Sequence, residues 1–370
     1  MFSKLDWSRL QAAACVCVFC AVLVAALYPF NPHPPNHVTW LTVSAGLHFG
    51  GHGTVVSSSV FPAPAADASC SIELWADAAP GTTSGTLFSF FSPTDPARFF
   101  VMQYRKEIVF QRSLRTALGE RQWSFMAVPA FHPGEPSFVA LTESPHARAA
   151  YVDGIRLEKS TRLAPFCADL TGWLVLGTSP VSDSSWRGTL RGLAVFGSEL
   201  SAAEALEDFH SWKDNGRPAG ATTQNLRALY LFDERAGAVI HNRAGNAPDL
   251  SIPDYYRVPF KPFLKTPWRE FKPSLDYLAD VLVNIVGFVP LGFVFCSYFF
   301  TVRRLGRAQA ITIFLGFLVS LSIETLQGFL PTRDSGMTDI ITNTAGTALG
   351  TMLFHWKPVQ DIYSRWRISD

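Results

Sequence analysis

The chain has 370 residues, 48% of them hydrophobic and only 16% charged, and its 31 Lys+Arg against 30 Asp+Glu leave a net charge of +1. That balance excludes a nucleic-acid binder driven by bulk charge. A mean hydropathy of +0.15 is high for a wholly soluble chain, so the apolar excess belongs in membrane segments.

From Leu10 to Tyr28 there is no charged residue, and the stretch is close to the about 20 apolar residues that cross about 30 Å of hydrocarbon. Lys4 and Arg9 precede it, as they would in a signal peptide. No small-x-small site comes before the exit Tyr28-Pro29-Phe30, so the reading favours an uncleaved anchor. After the stiff segment Asn31-Pro32-His33-Pro34-Pro35, short apolar runs alternate with turn residues as far as Pro253, an all-β pattern. Strands are expected at Ser71 to Trp75, Gly85 to Phe91, Phe99 to Tyr104, Glu107 to Gln111, Ser137 to Leu141 and Gly172 to Gly177. A hairpin is expected over Ala149 to Leu157, because Asp153-Gly154 accepts the positive φ angles of a two-residue turn. Such strands are too short to stand alone and are expected to stack as a sandwich. Ser201-Ala202-Ala203-Glu204 has capping-box spacing and predicts a short helix with Leu206 and Phe209 on one face.

Of the six cysteines only Cys70 and Cys167 lie in this polar middle. They form a disulfide if the segment is extracytoplasmic; two buried thiols are the alternative. No CxxC pair or Cys/His zinc spacing is present, so no metal site is assigned. Aromatic, Pro-punctuated residues 254–277 read as a linker.

Three further apolar runs follow: Val281 to Val302 and Ile340 to Trp356 without charge, and Ala308 to Leu330 with only Glu324. With the first run they make four expected spans. Arg303, Arg304 and Arg307 lie between two of these runs, and Lys357, Arg365 and Arg367 follow the last. By the positive-inside rule both basic segments and the N-terminus are cytoplasmic, so the middle segment and the loop Pro331 to Thr338 face outward.

Ionisable and amide groups within hydrocarbon are costly and by default functional. Helical spacing puts Asp280, Asn284 and Gly287 on one face, Ser320, Glu324 and Gln327 on another, and Asp339, Asn343, Gly346 and Gly350 on a third. All approach the outer ends of their helices, so they are expected to converge on one outward-facing pocket. Arg333 and Asp334 lie on the loop above it, where Arg333 pairs with Glu324 or holds an anionic headgroup. The equal alternative is that these groups only hydrogen-bond the helices to one another. Gly346 and Gly350 have small-xxx-small spacing for close helix approach, and Pro290 is expected to bend its span.

The ordered series Ser71-Ile72-Glu73-Leu74-Trp75, Phe138 to Leu141, Tyr151-Val152-Asp153-Gly154, Leu176-Gly177, Trp186 to Phe196, Leu200 to Glu204 and Ala228 to Glu234 with Gly237 resembles the LamG-like, concanavalin A-like jelly-roll family. The resemblance covers about Val38 to Ile252. It implies carbohydrate or protein-surface binding, in some members with calcium. The residues themselves are plainer: Trp75, Tyr151 and Phe196 read as core fillers and Asp153 as a turn residue. No acidic cluster has calcium-loop spacing, and Glu73 is a strand residue with no visible carboxylate partner, so glycoside hydrolysis is not assigned.

A second resemblance rests on Asn284 to Phe293, Ser320 to Gln327, Arg333-Asp334, and Asp339 to Asn343 with Gly346 and Gly350. This set, within about Pro259 to Trp356, resembles the VanZ-like family, which is named for a glycopeptide (teicoplanin) resistance protein. It implies that Leu10 to Tyr28 is the family's first helix and that the β-sandwich is an insertion in the first external loop. The expected fold is therefore a multidomain membrane protein with an all-β jelly-roll sandwich inserted between transmembrane helix 1 and a three-helix C-terminal transmembrane bundle. The expected divisions are 1–30, the sandwich 31–253, the linker 254–277, the helices 278–357 and a cytoplasmic tail 358–370.

The leading functional reading is a non-enzymatic, multi-pass protein of a bacterial cytoplasmic membrane. Its sandwich binds a glycan or surface partner, and Asp280, Asn284, Glu324, Gln327, Arg333, Asp334, Asp339 and Asn343 bind a lipid-linked or cell-wall component. The other reading is an intramembrane enzyme with Glu324 or Asp339 as acid/base and Arg333 stabilising a phosphate-like charge. No Ser/His/Asp, His-Glu-x-x-His or P-loop arrangement supports it.

Overall fold

A computed structural model describes residues 4–64, 69–115, 121–132, 134–146, 148–160, 163–219, 225–271 and 273–361. The basic tail residues Arg365 and Arg367 lie outside the described residues. The chain divides into two compact units, one of His33–Lys261 and one of Met1–Pro32 with Pro262–Asp370.

After helix α1 (Lys4–Leu27), the strands in chain order are β1 (Val38–Trp40), β2 (Leu47–Gly50), β3 (Val55–Ser57), β4 (Cys70–Ala78), β5 (Ser84–Phe91), β6 (Phe99–Tyr104), β7 (Glu107–Arg115) and β8 (Arg121–Pro129). They continue as β9 (Ser137–Glu143), β10 (Arg148–Val152), β11 (Ile155–Ser160), β12 (Trp173–Leu176), β13 (Arg187–Phe196), β14 (Leu226–Tyr230), β15 (Val239–Ile240) and β16 (Leu250–Ser251). The first sheet runs β1-β2-β13-β4-β9-β10-β11, with β14 also on β13; the second runs β15-β16-β3-β12-β5-β6-β7-β8. Neighbouring strands in both sheets are antiparallel. Period-two alternation places Ile72, Leu74, Phe88, Phe90, Phe99, Leu141 and Leu193 in one apolar core. Each such side chain contributes about 1.5–3 kcal/mol on leaving water. The β10–β11 turn is Asp153 (φ 51°) and Gly154 (φ 77°), as expected for a two-residue hairpin, and the Asp153 carboxylate also accepts from Phe138 N at 3.0 Å.

A second core lies where the sequence reading did not put one. Phe138, Tyr151, Ala194 and Phe196 form it together with Ala205 and Trp212 of helix α2 (Ala202–Asn215), and Trp75 packs against it half-buried. Trp75, Tyr151 and Phe196 thus belong to this smaller cluster rather than to the main core. Strand alternation points them to the opposite sheet face, and α2 covers that face. The helix has 14 residues, longer than expected, because it is fixed at both ends and along one face. Ser201 and Glu204 make the capping box, Gly216 ends the helix in the left-handed conformation, and Ala205, Asp208 and Trp212 are buried. Trp212 fits because Gly192 has no side chain: a Cβ there would lie 2.1 Å from the indole.

Cys70 and Cys167 are joined by a disulfide with Cα atoms 5.6 Å apart. The sandwich extends beyond Pro253 into the expected linker. Arg257 O accepts from Thr54 Oγ1 at 3.1 Å, Phe260 N donates to Pro180 O at 2.7 Å, and Tyr256 is 1% exposed. The linker expectation therefore fails for residues 254–261, where Tyr256 is a packing group and Tyr255 and Phe260 stay exposed.

The second unit consists of α1, α3 (Pro267–Glu270), α4 (Leu275–Thr301), α5 (Ala308–Gly328) and α6 (Met337–His355). Among the described residues three helices, not the expected four, are long and apolar enough to cross a membrane: Trp7–Leu27, Leu275–Thr301 and Ala308–Gly328. Helix α6 falls short because it carries Asp339, Asn343 and five threonines among 19 residues. Three of those threonines return their hydroxyls to carbonyls one turn back, Thr342 to Thr338 O at 3.0 Å, Thr344 to Ile340 O at 2.7 Å and Thr347 to Asn343 O at 3.0 Å. The small-xxx-small stripe does what its spacing implies. A Cβ on Gly346 would lie 2.1 Å from Ile285 O, and one on Gly350 would lie 2.2 Å from Val289 O, so α4 and α6 touch backbone to backbone.

Candidate functional site

The polar residues of the bundle meet around the start of α6. Asn284 Nδ2 of α4 donates to Asp339 Oδ1 of α6 at 2.8 Å. Asn343 Nδ2, one turn further along α6, donates to Ser320 Oγ of α5 at 2.9 Å. Glu324, 1% exposed, accepts from Gly336 N at 2.7 Å through its carboxylate and from Ser335 Oγ at 2.8 Å through its carbonyl. Gly336 is the N-cap of α6, so a buried carboxylate of α5 satisfies one of the helix-start amides. Glu270 of α3 satisfies another, accepting from Thr338 N at 3.0 Å.

Two cations near this cluster have other partners. Arg333 donates to Tyr28 O at 2.6 Å and not to Glu324, one of the two roles expected from sequence. Lys265 pairs with Asp334 at 2.9 Å and joins the same loop through backbone bonds to Ser335 O and from Met337 N. Gln327 donates to Ala26 O at 2.9 Å, tying α5 to the end of α1. Asp280 is exposed on α4, and Gly287 has open space around it, so only Asn284 of that expected face is engaged with α6. Of the eight expected residues, Asn284 with Asp339 are in direct contact, and Glu324 and Asn343 each hold another part of the bundle. The helix-to-helix alternative accounts for these bonds, with one residue left over: Asn343 is 4% exposed and its Oδ1 has no hydrogen-bond partner.

Sequence reading missed Glu270 and Lys265, which sit in the expected linker. Nothing local signals that they fold back onto α6, since each bond spans about 70 residues of chain. It also missed the partner of Glu73. Trp212 Nε1 donates to Glu73 Oε2 at 2.8 Å, and Asp208 of the same helix lies beside Glu73. Burial, then the neighbouring Asp208 carboxyl, pushes Glu73 well above the ordinary carboxylate range, against the opposing pull of the Trp212 N–H. Glu73 is 0% and Asp208 2% exposed, so this carboxylate pair holds α2 to the sheet and is out of reach of a glycosidic bond.

Among the described residues the one His/Cys/Asp/Glu group with metal-ligand spacing is Cys70, Glu143 and Cys167. Its sulfurs are bonded to each other, and Glu143 Oε2 accepts from Phe166 N at 2.5 Å and Cys167 N at 3.1 Å. Those groups are therefore not calcium ligands, which would need several free oxygens.

With the cluster's geometry in place, the comparisons with known proteins match two separate segments of the chain. Residues 229–358 match the VanZ/LLP1 family model. Residues 49–205 match the concanavalin A-like lectin/glucanases superfamily model. The chain thus combines a C-terminal part that matches a VanZ-like family model with a middle part that matches a concanavalin A-like one, and its apolar helices are those of a membrane protein. The VanZ-like match begins in β14, within the closing strands of the sandwich. No curated protein matches the chain. Among solved structures, the botulinum neurotoxin serotype D binding domain is similar at 12% identity and a TM-score of 0.40, over 50% of this chain and 49% of that one. A serotype D ligand binding domain in complex with N-acetylneuraminic acid is similar at 11% identity and a TM-score of 0.38, over 58% and 62%. The chain spans less than two thirds of the length of these structures, and scores this low are a loose likeness only.

Proposed function

We propose that this chain is an envelope membrane protein whose sandwich binds a glycan and whose helix bundle binds the polar end of a lipid-linked or cell-wall component. The basic flanks support a topology with the N-terminus, the Arg303, Arg304 and Arg307 loop and the tail in the bacterial cytoplasm and the sandwich outside, in which α6 crosses as the fourth span. A disulfide between Cys70 and Cys167 accords with that side, since such bonds persist in oxidising compartments. The match of residues 49–205 to a lectin/glucanase superfamily supports the glycan.

For the bundle, the observation that carries the reading is the unpartnered Oδ1 of Asn343 beside the Asn284–Asp339 bond. A buried acceptor without a donor costs about 1–3 kcal/mol, and a ligand bringing hydroxyl or amide N–H groups recovers it. An anionic phosphate brings no donor. Arg333 and Lys265 are already bonded to Tyr28 O and Asp334. The sugar or peptide end of the component therefore fits this oxygen better than its phosphate. We extend the proposal to glycopeptide resistance, which predicts lower teicoplanin tolerance in cells lacking the chain. The direct test is calorimetric titration of the full chain in nanodiscs with a soluble disaccharide-pentapeptide cell-wall fragment. Asn343→Leu, which fills the same space without donors or acceptors, is expected to weaken binding about 10-fold. Equal binding by both proteins removes the bundle cluster from the account.

A further inference from the structure

We propose that the sandwich takes one neutral sugar ring in a cleft on the outer face of its second sheet, between Trp123 and the loop 179–184. The proposal rests on the reading of the sandwich as a glycan binder and says where and what it binds.

Alternation in β6, β7 and β8 sends Val101, Ile108, Phe110, Met126 and Val128 into the core and leaves Phe100, Gln111 and Trp123 on the opposite face. Register brings these together: Phe100 pairs with Gln111, and Trp123 pairs with Ser113 two residues further along β7. The Phe100 and Trp123 rings are 6.1 Å apart and tilted by 57°. Phe100 is 5% exposed and forms the floor, whereas Trp123 is 42% exposed and offers a ring to solvent. Ser182, Ser184 and Thr86 line the other side of a cleft of about 170 Å³.

The loop is held, so the cleft is preformed. Thr86 N donates to Ser184 O at 2.9 Å and Thr86 Oγ1 to Ser184 Oγ at 3.2 Å, fixing the loop to β5. Between Ser182 and Ser184, the Asp183 carboxylate accepts from Tyr256 OH at 2.6 Å and Ser185 Oγ at 2.8 Å, with His52 Nε2 at 3.3 Å. Behind it, Phe260 N donates to Pro180 O. A site assembled before binding spares the ligand the cost of ordering it.

The lining selects the ligand. Every lining side chain is neutral, combining an indole, one amide and several hydroxyls with apolar groups. A pyranose offers a C–H face to an aromatic ring and hydroxyls that both donate and accept, which is this arrangement in complement. An acidic sugar would surrender the hydration of its carboxylate with no cation to replace it. The cleft is smaller than the about 300 Å³ at which drug-sized sites begin, so it holds one ring and leaves the rest of a chain outside.

The test is saturation-transfer NMR and titration on the full chain in nanodiscs, with methyl glycosides of glucose, galactose, mannose and N-acetylglucosamine and, as charged probes, glucuronic and N-acetylneuraminic acid. At least one neutral glycoside is expected to bind, the acids not. Trp123→Ala is expected to weaken that binding about 10-fold or more, and Gln111→Ala by a smaller factor, with the thermal transition unmoved because Trp123 is partly exposed. Phe125→Ala, on the same face but outside the cleft, is expected to stay within about twofold of wild type. Undiminished binding by Trp123→Ala overturns the cleft while leaving the sandwich a glycan binder. An equal loss in Phe125→Ala replaces the cleft with an open surface, and binding of the acids alone overturns the neutral assignment. If wild type binds none of the probes, the glycan reading fails and the cleft with it.

Discussion

The two units bury apolar and polar residues in different proportions. Inside the sandwich are Phe49, Leu74, Phe90, Leu141 and some thirty other apolar side chains in one continuous core. Inside the helix bundle a small apolar cluster of Phe288, Leu291, Val319 and Ile323 lies beside buried Gly292, Ser320, Glu324, Asn343, Thr347 and Thr351, while Leu282, Val283, Val286 and Phe314 are exposed on its outside. Water drives the first arrangement, because apolar area removed from it contributes about 25 cal/mol per Å². Lipid does not reward burial of leucine, so the second is held by backbone-to-backbone packing at small residues and by hydrogen bonds with no competing solvent. The same residue type consequently has different work in the two places. Glu73 in the sandwich holds α2 to a sheet already held by its core, whereas Glu324 in the bundle satisfies an amide at the start of α6.

The largest effect that separates the two units is expected from the disulfide. Cys70 and Cys167 are 97 residues apart, and closing a loop of that size removes about 4–5 kcal/mol of unfolded-state freedom. The Cys70→Ala/Cys167→Ala double variant should lower sandwich stability by that order in denaturant titrations followed by tryptophan fluorescence, and a reducing agent should do the same to wild type alone. The bundle, whose cysteines are free, should keep its helical signal under reduction. A loss below about 1 kcal/mol would mean that the core alone carries the sandwich. The converse probe is Gly346→Val. Its Cβ would lie 2.1 Å from a backbone carbonyl that cannot rotate away, so α4 and α6 must part at a cost of about 1–3 kcal/mol or more. Detergent-stability measurements should show the bundle melting earlier while the sandwich transition stays where it was.

What was legible in the sequence was local. Asp153-Gly154 specified its hairpin, Ser201 and Glu204 their capping box, and Gly346 with Gly350 their close approach, each through contacts within one turn of chain or one periodic stripe. The site was only half legible. Periodicity found Asn284, Glu324, Asp339 and Asn343, but not that Glu324 faces Gly336 rather than Arg333. Pairing across helices depends on crossing geometry, and a helical wheel holds no information about the partner's rotation. Trp212 and Asp208 meet Glu73 across 139 and 135 positions of chain, and Tyr256 reaches Asp183 across 73, so no spacing rule reaches them. The lower apolarity of α6 has a related reason. A helix packed along one face against its neighbours can carry Thr347 and Thr351 at 0% exposure while Ile341, Leu349 and Met352 stay exposed, and absence of charge alone does not reveal that difference.

A smaller effect follows from pH. Glu73 is raised well above 4.5 in the folded protein, so its contribution to stability is full below about that pH and is lost as pH climbs toward the folded value. The loss runs at up to about 1.4 kcal/mol per pH unit across that window. Glu73→Gln keeps an acceptor for Trp212 and cannot ionise, so it should flatten the slope and exceed wild type in stability at pH 8. Parallel melting curves for the two proteins between pH 4.5 and 8.5 would show that Asp208 or another group carries the proton.

The finest test bears on whether the bundle's polar bonds are only structural. Interhelical hydrogen bonds in membranes average about 0.6 kcal/mol, so a double-mutant cycle of Asn343→Ala and Ser320→Ala in nanodiscs should return a coupling of that size. If Asn343 does nothing but bond Ser320, the coupling is the same with and without a cell-wall fragment present. If its unpartnered Oδ1 accepts from that fragment, Asn343→Ala loses fragment binding and Ser320→Ala does not, because removing Ser320 leaves the accepting oxygen in place. A structural contact treats its two partners alike, whereas a ligand site does not. That asymmetry separates the two readings even though the coupling itself is small.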